Sequence, residues 1–213
     1  NELLDLSKIE AGRLELTLSP IAFSEIAEEV VESYQSVARE KSILLQSMID
    51  LSLPMIMGDP DKLSRVLINL VHNAIKFTPQ GGEIRVTSQS RNENHITICV
   101  TDSGKGIPPH DLDKVFDKFY WSESAPVEAR GAGLGLAIAK SLVELHGGTF
   151  TLKSKVRIGT ELIVTLPPER VMAALPPLSE PAPPIAPADE PAEAPAPVSS
   201  RQSTRSLLQR LRG

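Results

Sequence analysis

Apolar and polar positions along this chain follow two different periods, and the switches between them mark out its elements. Phe23, Ile26, Ala27, Val30, Val31, Tyr34, Val37 and Ala38 follow the i, i+3, i+4, i+7 spacing of an amphipathic helix. The same spacing in Leu63, Val66, Leu67, Leu70, Val71 and Ala74 predicts a second helix over about residues 59–77. A third is expected over about residues 134–146, directly after a cluster of glycines. Leu3, Leu4, Leu6 and Ile9 suggest the end of another helix, stopped near Gly12. Period-two alternation reads as strands in Leu14, Leu16 and Leu18, over residues 43–49, from Ile84 and Val86, and in Ile96, Ile98 and Val100. Residues 150–152 and 162–166 add two more, and residues 91–94 read as a hairpin loop. Helices and strands alternate irregularly, and the last two strands are joined by a short loop at Arg157-Ile158-Gly159. That pattern predicts an α/β sandwich with a mixed sheet rather than a doubly wound parallel one.

Two stretches lack periodicity. Between Ile107 and Gly133 the only regular signal is a short helix at residues 112–116, in a loop that carries Phe116, Phe119, Tyr120 and Trp121. Long loops inside compact domains commonly serve as lids or binding loops. From Pro167-Pro168 to Pro197 the chain is rich in Pro and Ala, too poor in apolar surface to fold alone. The expected organisation is a helix end and linker at residues 1–12, a compact domain at 13–167, a disordered linker at 168–200 and a basic tail at 201–213. Arg201, Arg205, Arg210 and Arg212 around Leu207, Leu208 and Leu211 fit a frayed solvated tail or a short basic amphipathic helix.

Bulk properties narrow the class. With 41% hydrophobic and 23% charged residues the chain has the composition of an ordinary globular domain. A net charge of −5 argues against non-specific nucleic-acid binding. Cys99 is the only cysteine, so no internal disulfide can form. No apolar run approaches the roughly 18 residues of a membrane span. The chain starts at Asn1 rather than Met, so a piece of a longer protein is expected, with any sensor or membrane anchor upstream.

Three features carry chemistry. The segment Arg130-Gly-Ala-Gly-Leu-Gly-Leu136 places Gly131, Gly133 and Gly135 just before a helix. It matches neither a Walker loop nor G-x-G-x-x-G, and alone it fits a flexible loop as well as a phosphate-binding helix start. On the second helix Asn69, Asn73 and Lys76 form a stripe about 110° round from the core stripe. Amide oxygens there suit Mg²⁺, and Lys76 suits a phosphate, although a solvated polar face would look the same. Asp102 ends a strand and is followed by Gly104 and Gly106, an arrangement that fits either an adenine-amine acceptor or an ordinary Asp-Ser-Gly turn.

Together these stretches resemble the catalytic, ATP-binding domain of sensor histidine kinases, within the ATPase superfamily that includes gyrase B and the heat-shock chaperone ATPase. Asn69-Leu-Val-His-Asn73-Ala-Ile-Lys-Phe-Thr78 resembles the N box, and Asp102-Ser-Gly-Lys-Gly-Ile107 the first glycine box. Phe116-Asp-Lys-Phe119 resembles the F box and Gly131-Ala-Gly-Leu-Gly-Leu136 the second glycine box. His146-Gly-Gly148 and Gly159-Thr160 match two minor landmarks. Residues 1–16 resemble the end of the dimerisation and phosphoacceptor hairpin. The resemblance implies a two-layer Bergerat-type sandwich with a mostly antiparallel sheet and a long ATP lid.

For function, the resemblance implies a protein-histidine kinase module of a two-component system, with ATP and Mg²⁺ as cofactors. Asn73 would hold the metal with Asn69 close by, and Lys76 would approach the phosphates. Phe77, Gly104, Lys105, Gly106 and Ile107 would shape the nucleoside pocket. Asp102 would hold the adenine amine, helped by Thr160. Arg130, Gly131, Gly133, Leu134, Gly135 and Leu136 would wrap the triphosphate, and Phe116 and Phe119 would anchor the lid. The implied partners are a response-regulator receiver domain and a second copy through the hairpin, in the cytoplasm. The acceptor His is absent: His72, His95, His110 and His146 all sit in other contexts. Trp121 stands where many relatives carry Arg, and Ala132 where many carry Thr, leaving Arg130 and Lys105 to supply positive charge. A catalytically weak ATP-binding regulatory or scaffold module is the alternative reading.

Overall fold

The computed structural model describes residues 2–91, 95–122 and 131–172. The elements in chain order are α1 (Glu2–Glu10), β1 (Ser19–Ile21), α2 (Phe23–Glu40), β2 (Leu44–Met48), β3 (Ile56–Gly58) and α3 (Pro60–Phe77). They continue with β4 (Glu83–Arg91), β5 (His95–Asp102), α4 (Gly135–Leu145), β6 (Thr149–Lys155) and β7 (Gly159–Leu166). Five strands form one sheet in the order β2-β4-β5-β7-β6. Only β2 and β4 run parallel; the other neighbours are antiparallel, which is the mixed, mostly antiparallel sheet expected.

Period-two burial fixes which face of that sheet is the core. Ile96, Ile98 and Val100 of β5 are buried, as are Leu162, Val164 and Leu166 of β7 and Ile84 and Val86 of β4. Helices α2, α3 and α4 pack side by side in a second layer. Helix α3 lies at its centre and buries Leu63, Val66, Leu67, Leu70, Val71, Ala74 and Ile75. Its ends are well specified. Asp59 is the N-cap, with Oδ1 accepting from the Lys62 N–H, and Pro60 occupies the first turn, where its missing N–H has no cost. At the other end the Thr78 hydroxyl donates to the Ala74 carbonyl.

The Leu14–Leu18 alternation does not form the strand expected of it. These residues run extended without a strand partner, and the Thr17 N–H is taken by the Asp59 carboxylate. The strand starts later, as β1, and pairs antiparallel with β3 in a separate two-stranded sheet that the apolar pattern does not announce. The short helix expected at residues 112–116 is replaced by two 3₁₀ turns, Pro109–Asp111 and Lys114–Phe116, the first started by its proline. Past the expected boundary at Pro167-Pro168 the chain stays attached. Val171 bridges to Ile56, and the Met172 N–H donates to the Met55 carbonyl. The linker and basic tail expected beyond that point, and the tip of the 91–94 loop, lie outside the described residues. Helix α1 packs against α4, burying Leu6, and adds Asp5–Arg65 and Glu10–Lys118 ion pairs.

Candidate functional site

One cleft lies between the C-terminal half of α3, the end of β5, the start of α4 and the loop between them. It encloses about 1170 Å³, counting its solvent-open mouth. Asn69, Asn73, Lys76, Phe77, Asp102, Lys105, Gly106, Ile107, Gly131, Gly133, Leu134, Gly135, Leu136 and Thr160 all line it. Residues of three motifs separated along the chain are therefore gathered on one cavity.

Each group reaches the cleft for a physical reason. Asp102 is the next inward position after Ile96, Ile98 and Val100, so strand alternation carries its carboxylate beneath the sheet surface, 8% exposed. Its Oδ1 accepts from the Gly104 N–H at 2.8 Å and the Thr160 N–H at 3.3 Å. Burial is the larger influence and pushes its pKa up, while those two amide bonds pull the other way. The backbone after it is packed too closely for side chains. A Cβ on Gly104 would lie 2.6 Å from Asp102 Oδ1 and 2.7 Å from the Phe77 carbonyl oxygen. Gly106 has φ +70° and would meet the Lys155 carbonyl at 2.1 Å, so only glycine fits the left-handed conformation there. Thr160 completes this wall, its hydroxyl 2.9 Å from that of Ser154.

The amide stripe of α3 faces the start of α4. Asn69, 9% exposed, donates from Nδ2 to the Gly135 carbonyl at 3.1 Å. A Cβ on Gly135 would stand 3.6 Å from Asn69 Oδ1 and 4.0 Å from Asn73 Nδ2, so the helix start lies close against both amides. The Lys76 ammonium sits 4.6 Å from the Trp121 ring centroid and 5.6 Å from that of Phe77. Lys105 stands 5.3 Å from the Phe77 ring centroid. The cleft is thus lined by two lysines, each close to the Phe77 ring, and by a largely buried carboxylate.

Gly104 supports the cleft from below without lining it. The Phe116 ring packs edge-on against Phe150 at 5.6 Å, with the Lys140 ammonium 4.9 Å from its centroid, outside the cleft. Phe119 is 62% exposed, and it is its backbone that serves the loop: its N–H donates to the Gly133 carbonyl at 3.0 Å. Arg130 lies outside the described residues. Trp121, Tyr120 and Ser122 take the lining positions that the two phenylalanines do not. Asp111, 3% exposed, holds that stretch by accepting from the Ser122 and Tyr120 hydroxyls, the first more than the second drawing its pKa down. The sequence signal for these residues was present only as aromatic clustering in an aperiodic loop.

The site fits a nucleotide with a divalent cation on three counts. Close-packed bare backbone borders it, two lysines line it, and neutral amides face the glycine-rich helix start. Among the described residues no group of three or more His, Cys, Asp or Glu could hold a metal, so a cation here would need oxygens from its ligand.

Residues 58–170 match the family described as "Histidine kinase-, DNA gyrase B-, and HSP90-like ATPase". The chain belongs to this ATP-binding family, as a catalytic ATPase domain of the sensor histidine kinase type. Hybrid signal transduction histidine kinase D of Dictyostelium discoideum is 36% identical over 173 residues, 78% of this chain and 11% of that protein. Circadian input-output histidine kinase CikA of Synechococcus elongatus is 36% identical over 182 residues, 83% of this chain and 24% of that protein. The crystal structure of full-length ShkA in complex with AMPPNP superposes with a TM-score of 0.72 at 29% identity, covering 82% of this chain and 36% of that one. The chain therefore spans well under half the length of these relatives. Among the described residues no helix is long and apolar enough to cross a membrane.

Proposed function

We propose that this chain is the phosphoryl-donor module of a two-component histidine kinase. It binds Mg-ATP in the cleft and presents the γ-phosphoryl group to a His on the hairpin of which α1 is the end. In that step the imidazole nitrogen forms a bond to phosphorus as the bond to the ADP leaving oxygen breaks. A near-neutral imidazole, with an ordinary pKa of ~6.5, needs no strong base to act as nucleophile. The chain's contribution is positioning and charge stabilisation. Asp102 accepts the adenine amine at Oδ2, since Oδ1 already takes two backbone amides. Lys76 meets the phosphates, and Gly131, Gly133 and Gly135 let main chain approach them. Asn73, with Asn69 beside it, would hold Mg²⁺, which when bound neutralises phosphate charge. Arg130 and Lys105 add positive charge. The phosphoryl group passes on to an Asp of a response-regulator receiver domain, in a homodimer formed through the hairpin, in the cytoplasm.

The observation that carries this reading is the gathering of the amide stripe, Asp102 and the second glycine cluster on one cleft. Calorimetry with a non-hydrolysable ATP analogue, with and without Mg²⁺, tests the first half. The second half is tested with labelled ATP and a longer chain that includes the hairpin. Phosphohistidine should form and should fall by roughly 10- to 100-fold in Asn73→Ala, the scale of losing a metal-positioning group. Equal labelling in that variant would remove Asn73 from the site.

A further inference from the structure

The tip of the β6–β7 hairpin is packed hard against the loop that follows Asp102. The Arg157 N–H donates to the Lys105 carbonyl at 2.7 Å. A Cβ on Gly159, which has φ +139°, would stand 1.8 Å from the Asp102 carbonyl oxygen. Ser154, half-buried on β6, ties the two segments together. Its Oγ meets three groups at 2.9 Å: the Ile107 N–H, the Gly159 carbonyl and the Thr160 hydroxyl.

Those three contacts decide where the hydroxyl protons go. A serine hydroxyl has one proton to donate and two lone pairs with which to accept. The Ile107 N–H can only donate, and the Gly159 carbonyl can only accept. If Ser154 gave its proton to Thr160, oxygen would face oxygen at Gly159 with no proton between them. One arrangement makes hydrogen bonds of all three contacts: Ser154 donates to Gly159 and accepts from both Ile107 and Thr160. Polar groups kept from water are costly to leave unpaired, so that arrangement is favoured. The Thr160 hydroxyl then has no proton left for the cleft that it lines. It offers an acceptor there, beside the Asp102 carboxylate to which its own N–H donates at 3.3 Å.

We infer that Ser154 is a positioning residue for base recognition: by taking the Thr160 hydroxyl proton it leaves two side-chain acceptors, Thr160 Oγ1 and Asp102 Oδ2, on one edge of the cleft, and so selects a purine with an amine rather than an oxygen at its 6-position. This rests on the nucleotide reading of the cleft and adds to it the residue that sets the polarity of the base edge. Ser154 is not among the residues that line the cleft, and it acts through Thr160. A 6-amino purine brings protons to this edge, whereas a 6-oxo purine sets a third oxygen against two acceptors. A site built to accept from a substrate N–H rejects the analogue lacking it more sharply than an apolar pocket can.

The experiment is calorimetry on the 213-residue chain with ADP and its 6-oxo counterpart, inosine diphosphate. A neutral hydrogen bond corresponds to about two- to tenfold in affinity. Ser154→Ala frees the Thr160 proton to turn toward a 6-oxygen. It should narrow the preference for ADP by that factor, chiefly by tightening inosine diphosphate. Thr160→Val removes the acceptor and leaves Ser154 its bonds to Gly159 and Ile107. It should narrow the preference by a similar factor, by weakening ADP. Adding Ser154→Ala to Thr160→Val should leave the preference where Thr160→Val alone puts it, because Ser154 acts through that hydroxyl. Equal weakening of both nucleotides by Ser154→Ala would overturn the inference, making Ser154 a brace of the hairpin alone. A widened preference in Thr160→Val would overturn it as well, since the threonine proton would then point into the cleft. That sign decides the matter even if Ser154→Ala fails to fold. If wild type bound neither nucleotide, the nucleotide reading would fail and this inference with it, a result seen in the unsubstituted chain and so distinct from the others.

Discussion

Asp102 is a residue at which stability and the proposed role in base binding pull in opposite directions. Strand alternation puts a carboxylate into an apolar register of β5, and burial pushes its pKa up. The native state therefore holds this proton more readily than the unfolded chain. Its contribution to stability is present below the ordinary carboxylate pKa and is lost as pH rises through the raised folded value. At neutral pH the buried charge is a cost. Asp102→Asn removes the charge while its amide oxygen can still accept from the Gly104 and Thr160 amides. We expect this variant to melt no lower than wild type at pH 7, followed by circular dichroism. Affinity should move the other way. With oxygen committed to the backbone, the new NH₂ replaces Oδ2 and meets the adenine amine donor to donor. A mispaired buried donor costs about 1–3 kcal/mol, roughly 5- to 150-fold in Kd. Unchanged affinity for the ATP analogue would remove Asp102 from base recognition.

Between elements, the decisive contact is where α4 ends against the start of α3. His146, 1% exposed, accepts from the Asp59 N–H through Nε2 at 3.1 Å and so donates from Nδ1 to the Leu142 carbonyl at 2.7 Å. Only a neutral ring can do both, and burial lowers its pKa accordingly. The unfolded chain therefore takes up this proton first. Stability from His146 is complete above the ordinary pKa of ~6.5 and declines as pH falls from there toward the lowered folded value. Urea unfolding should show wild type losing stability between pH 7 and 5 relative to His146→Ala. At pH 7 that variant should be less stable by about 1–3 kcal/mol, because the Asp59 N–H loses its acceptor. A parallel pH response in both proteins would show that His146 does not titrate in this way. The sequence placed His146 at the end of a helix, and that is where it is. Its ring partner, 87 residues away, leaves no trace in one sequence. The same limit explains which elements were legible. Helices α2, α3 and α4 repeat their apolar stripe often enough to be read. Strands β1 and β3 have three residues each, too few for a period, and exist because they pair with each other.

Across the whole molecule, the order of the motifs was legible because each needs a particular local chemistry: amides one turn apart, an acid at a strand end, glycines at a helix start. What was not legible was which aromatic side chains turn inward. Phe119 and Trp121 are two residues apart in an aperiodic loop, and only the Gly131–Gly133 backbone decides that the indole lines the cleft while the phenyl ring is exposed. The domain's end is a similar case. Composition changes at Pro167-Pro168, yet tertiary contacts continue to Met172. Arg170 Nε donates to the His146 carbonyl at 3.0 Å, Val171 bridges to Ile56, and the Met172 N–H donates to the Met55 carbonyl just before β3. Two truncations therefore separate composition from contact. A chain ending at Met172 should keep the wild-type melting temperature and ATP-analogue affinity. One ending at Pro167 loses a charged hydrogen bond to a backbone carbonyl and the Met172–Met55 amide bond, together about 2–4 kcal/mol. At roughly 2–4 °C per kcal/mol for a domain of this size, it should melt about 5–15 °C lower. Its affinity at 15 °C should be unchanged, because none of the lost contacts lines the cleft. Equal melting of the two truncations would place the end of the folded domain where the prolines begin. A loss of affinity confined to the shorter chain would mean that the strand pairing at Ile56 reaches the nucleotide site through α3, whose N-cap Asp59 lies directly after β3.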